Sequence, residues 1–527
     1  MAIAEPLDLL IRGGTVIEGT RAPRFDADVG ITGGRIVAIG DLAARSARET
    51  IDATGRIVAP GFIDSHTHDD QALLSQSDMS FKVSQGVTTV VAGNCGISIA
   101  PLAPDTPLPS PLDLIDAAAR SRFASFADYF AELERTPAAL NVAALVGHST
   151  LRVRTMRALD RPAEPDEIAA MQQLVAEALD AGAIGLSTGT FYPPAFHATT
   201  EEIIAVGRPV GERGGLYVTH MRDESDRVME ALDETFRIGR ELDIPVVVSH
   251  HKVQNQANFG RSTVTLPHIL AAMRCQCVTL DCYPYNASST MIHTDPRKLE
   301  GRVLIASSQP HPECAGRQLS DIAKEWGVAE GEAARRMQPG SAIYFLMDEN
   351  DVQRILAFDE TMIGSDGIPL GEKPHPRLWG TFPRVLGHYS REVGLFPLET
   401  AVWKMTGLTA RNFGLAGRGT LAVGHAADVV VFDAATIRDA ATYEEPMQPA
   451  EGIAAVIVNG KVTWRNGRHS GARNGQVLRR DANAPRRSTP RAETPASPPS
   501  QKHRDHGQDD QDRADRNRGA GLGASPT

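Results

Sequence analysis

Short apolar runs recur through the middle of the chain. They are FIDSH at 62–66, TTVVAGN at 88–94, NVAALVGH at 141–148, AIGLSTG at 183–189, LYVTH at 216–220, PVVVSH at 245–250, VTLDCYP at 278–284 and MIGSDG at 362–367. Between several of them lie longer stretches with helical period, such as PDEIAAMQQLVAEALDAG at 165–182 and DRVMEALDETFRIGREL at 226–242. Short runs with no polar face fit strands buried on both sides, and the helical segments fit crossovers between parallel neighbours. Eight such runs predict a closed (β/α)8 TIM barrel. An open doubly wound sheet would carry a glycine-rich phosphate loop after an early strand, and neither G-x-G-x-x-G nor a P-loop is present there.

The two flanks read differently. LDLLIRGGTVIEG, ADVGITGGRIVAIG and TIDATGRIVAPG near the start alternate apolar and polar residues around glycine turns. The pattern returns in GTLAVGHAADVVVFD and IAAVIVNGKVTWRNG. These segments predict hairpins, with residues 1–60 and 415–481 forming one small β domain from both chain ends. The barrel then spans 61–414. About 70 residues separate CYPYNASS from MIGSDG, too many for a plain connection, so 287–342 is expected to be an inserted helical subdomain. From residue 482 onward Pro, Ser, Arg, Asp and Gln dominate, and 482–527 is expected to be a disordered tail.

Barrel active sites lie at the C-terminal ends of the strands. Those ends carry His66 and His68 on the first run, Cys95 after the second, His148 after the third, His220 on the fifth, His250 on the sixth and Asp366 on the eighth. Residues two apart on a strand point the same way, so His66 and His68 can share a face. Imidazole, thiolate and carboxylate are zinc's ligand types. A lone strand-end histidine is ordinarily structural, but this many at separate ends point to a metal. His148 and His251 are the weaker members, and core packing is the plainer reading of Cys275, Cys277 and Cys282.

A net charge of −11 argues against a nucleic-acid partner. No apolar run reaches the ~18 residues of a membrane span, and the N-terminal stretch lacks the pattern of a secretory signal. Five sparse cysteines fit reduced thiols in a cytoplasmic protein. The expected partner is a small-molecule substrate, on a monomer or small homo-oligomer.

PGFIDSHTHDD, VVAGNCGIS, VTHMRDE, VSHHKV, DCYPY, GSDG and HPRLWGTFPRVLGHYSRE together resemble the D-aminoacylase (N-acyl-D-amino-acid deacylase) family of the amidohydrolase superfamily. The likeness runs over roughly residues 7 to 480. His-x-His after a strand is shared by many hydrolases; the GNCG cysteine is more specific. Many relatives bridge two metals with a lysine on strand four, and AIGLSTGTFY offers none. The resemblance implies Cys95 as the substitute bridging ligand. It further implies that Cys95, His220 and His250 hold one tightly bound Zn2+, with His66, His68 and Asp366 around a second, weaker position.

The implied reaction is hydrolysis of N-acyl-D-amino acids to a carboxylate and a free D-amino acid. Asp366, on the last strand, suits the proton transfer that a poor amine leaving group needs. The resemblance places Lys252, Tyr283, Ser289 and Arg377 around the substrate α-carboxylate, and Phe191, Tyr344 and Met347 around its side chain. That lining implies apolar D side chains. Against it stand Arg297 and Lys298 in HTDPRKLEG, where a leucine would be expected; such residues are rarely buried and are expected to turn outward. The alternatives are an N-acyl-D-glutamate or N-acyl-D-aspartate deacylase, a dihydropyrimidinase-like amidohydrolase, and, remotely, a metal-free barrel that only binds. The missing strand-four lysine argues against the dihydropyrimidinase reading, and the filled ligand positions against the last.

Overall fold

Each of the eight apolar runs forms a strand, and burial explains its composition. In the computed structural model, which describes residues 5–104, 106–115 and 122–480, the strands are Phe62–Asp64, Val87–Ala92, Asn141–Gly147, Gly185–Gly189, Leu216–His220, Val246–Val248, Val278–Cys282 and Thr361–Ile363. All eight lie parallel, in chain order around one sheet, and every residue in them is buried. Both faces are nonetheless distinct. Ile63, Val91, Leu145, Val218 and Met362 join one apolar cluster, while Val90, Ala92 and Val146 join the larger one shared with the helices. Sheet periodicity is therefore present but invisible in hydropathy, because helices cover one face and barrel packing fills the other.

The ring closes where the last strand meets the first. Ser65 N–H donates to Ile363 O at 3.3 Å, Asp366 N–H to His66 O at 2.8 Å and His68 N–H to Gly367 O at 3.3 Å. A buried side-chain stitch reinforces this seam. Lys82 Nζ lies 2.7 Å from both Asp64 Oδ2 and Ser365 Oγ, and 3.4 Å from Asp69. The other Asp64 oxygen accepts from Ser365 N–H at 2.8 Å and His66 N–H at 3.3 Å.

The crossover helices carry their own stop signals. Pro165–Ala181 starts with a capping box between Glu164 and Glu167 and ends at Gly182 in the left-handed region. Val228–Leu242 buries Val228, Leu232, Phe236 and Leu242 along one side.

A nine-stranded sheet unites the chain ends. Ile57–Pro60 runs antiparallel to Val429–Phe432, so the entry strand pairs directly with the exit strand. Leu7–Val16, Phe25–Thr32, Arg35–Gly40 and Ala47–Asp52 extend one side, and Ile453–Val458, Lys461–Arg465 and Arg468–His469 the other. The turn between the second and third of these uses Gly33 and Gly34, both with positive φ (58° and 74°), as a tight hairpin requires.

The insert carries the helices expected of it, Leu319–Trp326 and Glu330–Arg336. It also contains a feature absent from the sequence reading: a three-stranded antiparallel sheet of Ser288–Met291, Val303–Ser308 and Gly340–Tyr344. These strands escaped notice because Ser-Ser-Thr and Ser-Ser pairs interrupt their apolar pattern. The tail expected beyond residue 482 lies outside the described residues.

The seam stitch is testable. Lys82→Met keeps the stem and removes the charge, taking from the buried Asp64 the one cation that faces it at 2.7 Å. Loss of about 3–5 kcal/mol is expected, read from the urea midpoint. A loss below about 1 kcal/mol, the scale of an exposed pair, would show that the stitch is not holding the seam.

Candidate metal centre

The ligand-type side chains stand where strands end and the backbone turns. His220 closes its strand; His66, His68, Cys95, His250 and Asp366 follow theirs within a few residues. Three of these six adopt left-handed conformations: Cys95 at φ 53°, His250 at φ 34° and Asp366 at φ 50°. Such backbone costs roughly 1–3 kcal/mol per residue and persists where surroundings enforce it. They do so here. Asp281 Oδ1 accepts from His250 N–H at 2.8 Å. The Asp366 amide is held by His66 O. Cys95 sits between Gly93 and Gly96, and a Cβ at Gly93 would fall 2.1 Å from Leu145 O.

The turns aim the side chains at one point. Cys95 Sγ lies 3.3 Å from His66 Nε2, 3.4 Å from His250 Nε2 and 3.7 Å from His220 Nδ1. Asp366 Oδ1 lies 3.2 Å from His68 Nε2 and 3.6 Å from His66 Nε2. All are buried. Donor atoms of His66, Cys95, His250 and Asp366 fall within 4.8 Å of one another, as do those of His220, Glu224 and His250.

The electrostatics favour the anionic forms of Cys95 and Asp366, while His68 is held toward its protonated form, whose proton a metal would displace. Burial pushes the Cys95 thiol up, but the neighbouring His66 and His250 charges and hydrogen bonds outweigh it and hold it well below the usual thiol range. Burial likewise opposes ionisation of Asp366, and Arg377, with Nη1 2.9 Å from Oδ2, and the histidines overcome it. Burial lowers His68, yet hydrogen bonds to Asp366 and Cys95 raise it to about 9. A thiolate, a carboxylate and several imidazoles in one buried cluster match the donor set of zinc. His66 Nδ1 lies 3.5 Å from Asp281 Oδ1.

Glu224 was missed by the sequence reading. Its buried carboxylate places Oε1 3.0 Å from His250 Nδ1 and Oε2 3.6 Å from His220 Nε2. Both rings therefore turn one nitrogen toward Cys95 and the other toward Glu224. A carboxylate behind a ligating histidine fixes ring orientation and tautomer. Burial works against its charge, but Lys252, then His220 and His250, hold it well below the usual carboxylate range. The available signal was position: Glu224 lies four residues after His220, inside VTHMRDE.

Lys252 is met by this same group. Its Nζ lies 2.8 Å from both Glu224 oxygens and 2.7 Å from His250 Nδ1. Arg377 is fully buried, stacks 4.5 Å over the Tyr283 ring and donates to Ser289 O at 3.0 Å. These four residues thus gather on the Asp366 and His250 side. Beside them lies a chamber of about 120 Å³ whose walls include Phe191, His220, Lys252, Ser289, Tyr344 and Asp366. Met347 lies behind Tyr283, with Sδ 3.9 Å from its hydroxyl, and does not line this chamber.

The insert corrects one expectation. Arg297 does turn outward, paired with Asp295 in solvent. Lys298 turns inward: its Nζ sits 3.8 Å from the centroid of Phe191 and lines the chamber. Arg297 also borders the chamber while remaining exposed, and at the half-buried Lys298 the aromatic face offsets part of the cost of withdrawing the charge from water. Elsewhere, His148 is buried against Glu202 at 3.3 Å and His251 against Thr265 at 2.9 Å. Of the cysteine cluster only Cys282 is buried; Cys275 is exposed, since it follows the end of a helix rather than entering the strand.

The amidohydrolase family model matches residues 49–273 and 305–464. A D-aminoacylase of Alcaligenes xylosoxydans xylosoxydans is 59% identical over 91% of this chain and 99% of its own length. A solved D-aminoacylase, whose binuclear centre is described by one-metal activation and second-metal attenuation, is 60% identical, with a TM-score of 0.89 over 90% of this chain and all of that one. An N-acyl-D-glutamate deacylase of Bordetella bronchiseptica, solved with zinc and a phosphonate mimic of the tetrahedral intermediate, is 47% identical, with a TM-score of 0.87 over 90% of this chain and all of that one.

Glu224→Gln keeps the shape and removes the charge that orients both rings. Metal affinity, measured by competition with a chelator, should fall about 10- to 100-fold. Retention of wild-type affinity would show that Glu224 only packs.

Proposed function

The chain belongs to the amidohydrolase family, and on that footing we propose that it hydrolyses N-acyl-D-amino acids to a carboxylate and a free D-amino acid, with zinc as cofactor. The observation that carries the reading is the convergence of Cys95 with His66, His220 and His250 beside the Asp366–Arg377 pair. The 59% identical relative is itself a D-aminoacylase. In this reading Cys95, His220 and His250 hold the tightly bound zinc, and His66, His68 and Asp366 surround a second, weaker position. Zinc in such a site supplies Lewis acidity, polarising a carbonyl and making water acidic near neutral pH.

The chain's own groups supply the rest. Arg377, Tyr283 and Ser289, with Lys252, receive the substrate α-carboxylate; a planar guanidinium matches a carboxylate through two parallel hydrogen bonds. Asp366 takes the proton of the attacking water and returns it to the amide nitrogen as the C–N bond breaks. Its ionised state suits the first half of that task. Arg377 is both the anchor and the partner of the base, and so fixes the distance between substrate carboxylate and proton acceptor.

Phe191 and Tyr344 support apolar D side chains. The position of Lys298 over Phe191 favours a second reading, in which an acidic D side chain is also accepted. No described helix is long and apolar enough to cross a membrane. Five cysteines with no disulfide between them support a cytoplasmic location.

Release of free amino acid from N-acetyl-D-methionine, N-acetyl-L-methionine and N-acetyl-D-glutamate tests the reading. Turnover of the D-methionine substrate alone of the methionine pair is expected, and turnover of neither would reject the function. Methionine should exceed glutamate, and Lys298→Leu should widen that gap about tenfold, the value of one lost charge-assisted contact near 1.4 kcal/mol. An unchanged glutamate rate in this variant rejects the second reading.

Asp366→Asn retains shape and removes the base. Its kcat should fall by at least ~10²-fold with little change in KM. Near-normal kcat would exclude the proton-transfer role.

A further inference from the structure

A second chamber adjoins the first. It measures about 400 Å³, within the roughly 300–1,000 Å³ of small-molecule sites, whereas the inner chamber is smaller than that range. Pro109, Leu159, Pro193, Pro194, Phe196 and Met291 line its outer part, together with Asp160 and His197. Its inner wall is Phe191, Tyr192, His293 and Lys298, and the same four residues line the inner chamber. At the rim the ring of Phe196 is 54% exposed, a large apolar group left in water.

Building on the hydrolase reading above, we propose that this outer chamber is a subsite for the acyl chain, and that the protein takes straight hydrocarbon acyl groups longer than acetyl. The direction follows from the amide. A secondary amide is planar and trans, so the acyl chain and the Cα bearing the carboxylate leave the scissile bond on opposite sides. The carboxylate anchor Arg377 is held against Asp366. Phe191 and Tyr192 instead lie against His220, with ring centroids 5.1 Å and 4.8 Å away. A substrate with its carboxylate at Arg377 and its carbonyl among the histidines points its acyl chain past Tyr192. Tyr192 is held there by a 3.0 Å hydrogen bond between its hydroxyl and Thr290 Oγ1. Beyond it the wall turns apolar, with Pro193, Pro194 and Leu159. The inner chamber, bordered by Lys252, Arg297, Lys298 and Glu224, holds the amino-acid half, and the outer one is lined mainly by hydrocarbon, with Asp160 and His197 as further polar residues.

The test holds D-methionine fixed and varies the acyl group through acetyl, butyryl and hexanoyl, measuring kcat/KM for amino-acid release. Each methylene fully buried is worth about fourfold, so a rise of at least about tenfold from acetyl to hexanoyl is expected. Leu159→Asp, and separately Phe196→Ser at the exposed rim, should lower the hexanoyl-to-acetyl ratio toward one. A flat or falling series in an enzyme that cleaves the acetyl substrate overturns the subsite alone. No release from any member overturns the subsite and the reaction together. A companion series keeps acetyl and lengthens the D side chain from 2-aminobutyrate to norleucine. If Leu159→Asp flattens this series and spares the acyl one, the chamber belongs to the side chain and the proposal falls.

Discussion

The rest of the site depends on how the last strand finds the first. Ser365 N–H reaches Asp64 across 301 residues of chain, and Lys82 joins the two through one buried ammonium. A closed barrel leaves no edge groups unpaired, but its final contact is the longest in sequence and the costliest to organise. Here that contact is also chemical. His66 and Asp366 lie immediately beyond the stitched residues, so the bond that completes the ring also brings the first strand's imidazoles against the last strand's carboxylate. A buried ion pair is weak evidence for stability in itself, since desolvation offsets much of the attraction. Its use here is register. The ammonium has three donors, and two of them are claimed by atoms from opposite sides of the seam.

Much of this was legible because a barrel converts sequence position into spatial position. Any residue just after a strand reaches the same rim, so finding eight apolar runs also located His66, His68, Cys95, His220, His250 and Asp366. The limits have equally physical causes. Glu224 lies on a loop, where no periodicity predicts direction, and its contacts come from the end of its own strand and from the loop after the next. The insert's sheet is half-buried and serine-rich, so its alternation is weak. Lys298 was expected outward on the general cost of burying a cation. That average ignores a specific aromatic face. Cys275 shows the reverse error: general preference placed a thiol in the core, and the end of a helix left it in solvent.

The charges around the cluster form a chain rather than a set of pairs. Arg377 stabilises Asp366, Asp366 faces His66 and His68, His66 faces Cys95, and Cys95 leads through His220 and His250 to Glu224 and Lys252. Each anion in it has a cation or an imidazole beside it, which is why so many ionisable groups can be buried together. A consequence is that no member can be changed without altering the environment of the next.

The left-handed turns at Cys95, His250 and Asp366 set where this protein has room to diversify. Where a side chain is aimed by its own rotamer, neighbours can drift and the residue follows. Where it is aimed by main chain that few residue types tolerate, the position is nearly frozen, and so are the glycines and amides that hold the bend. The insert carries none of that burden. It contributes Lys298, Tyr344 and Met291 to the walls, and none of the six ligand-type groups. Variation in which molecules are accepted can therefore accumulate in the insert over generations while the chemistry beneath it stays fixed. An engineer seeking a new specificity would diversify there first, and leave the barrel rim alone.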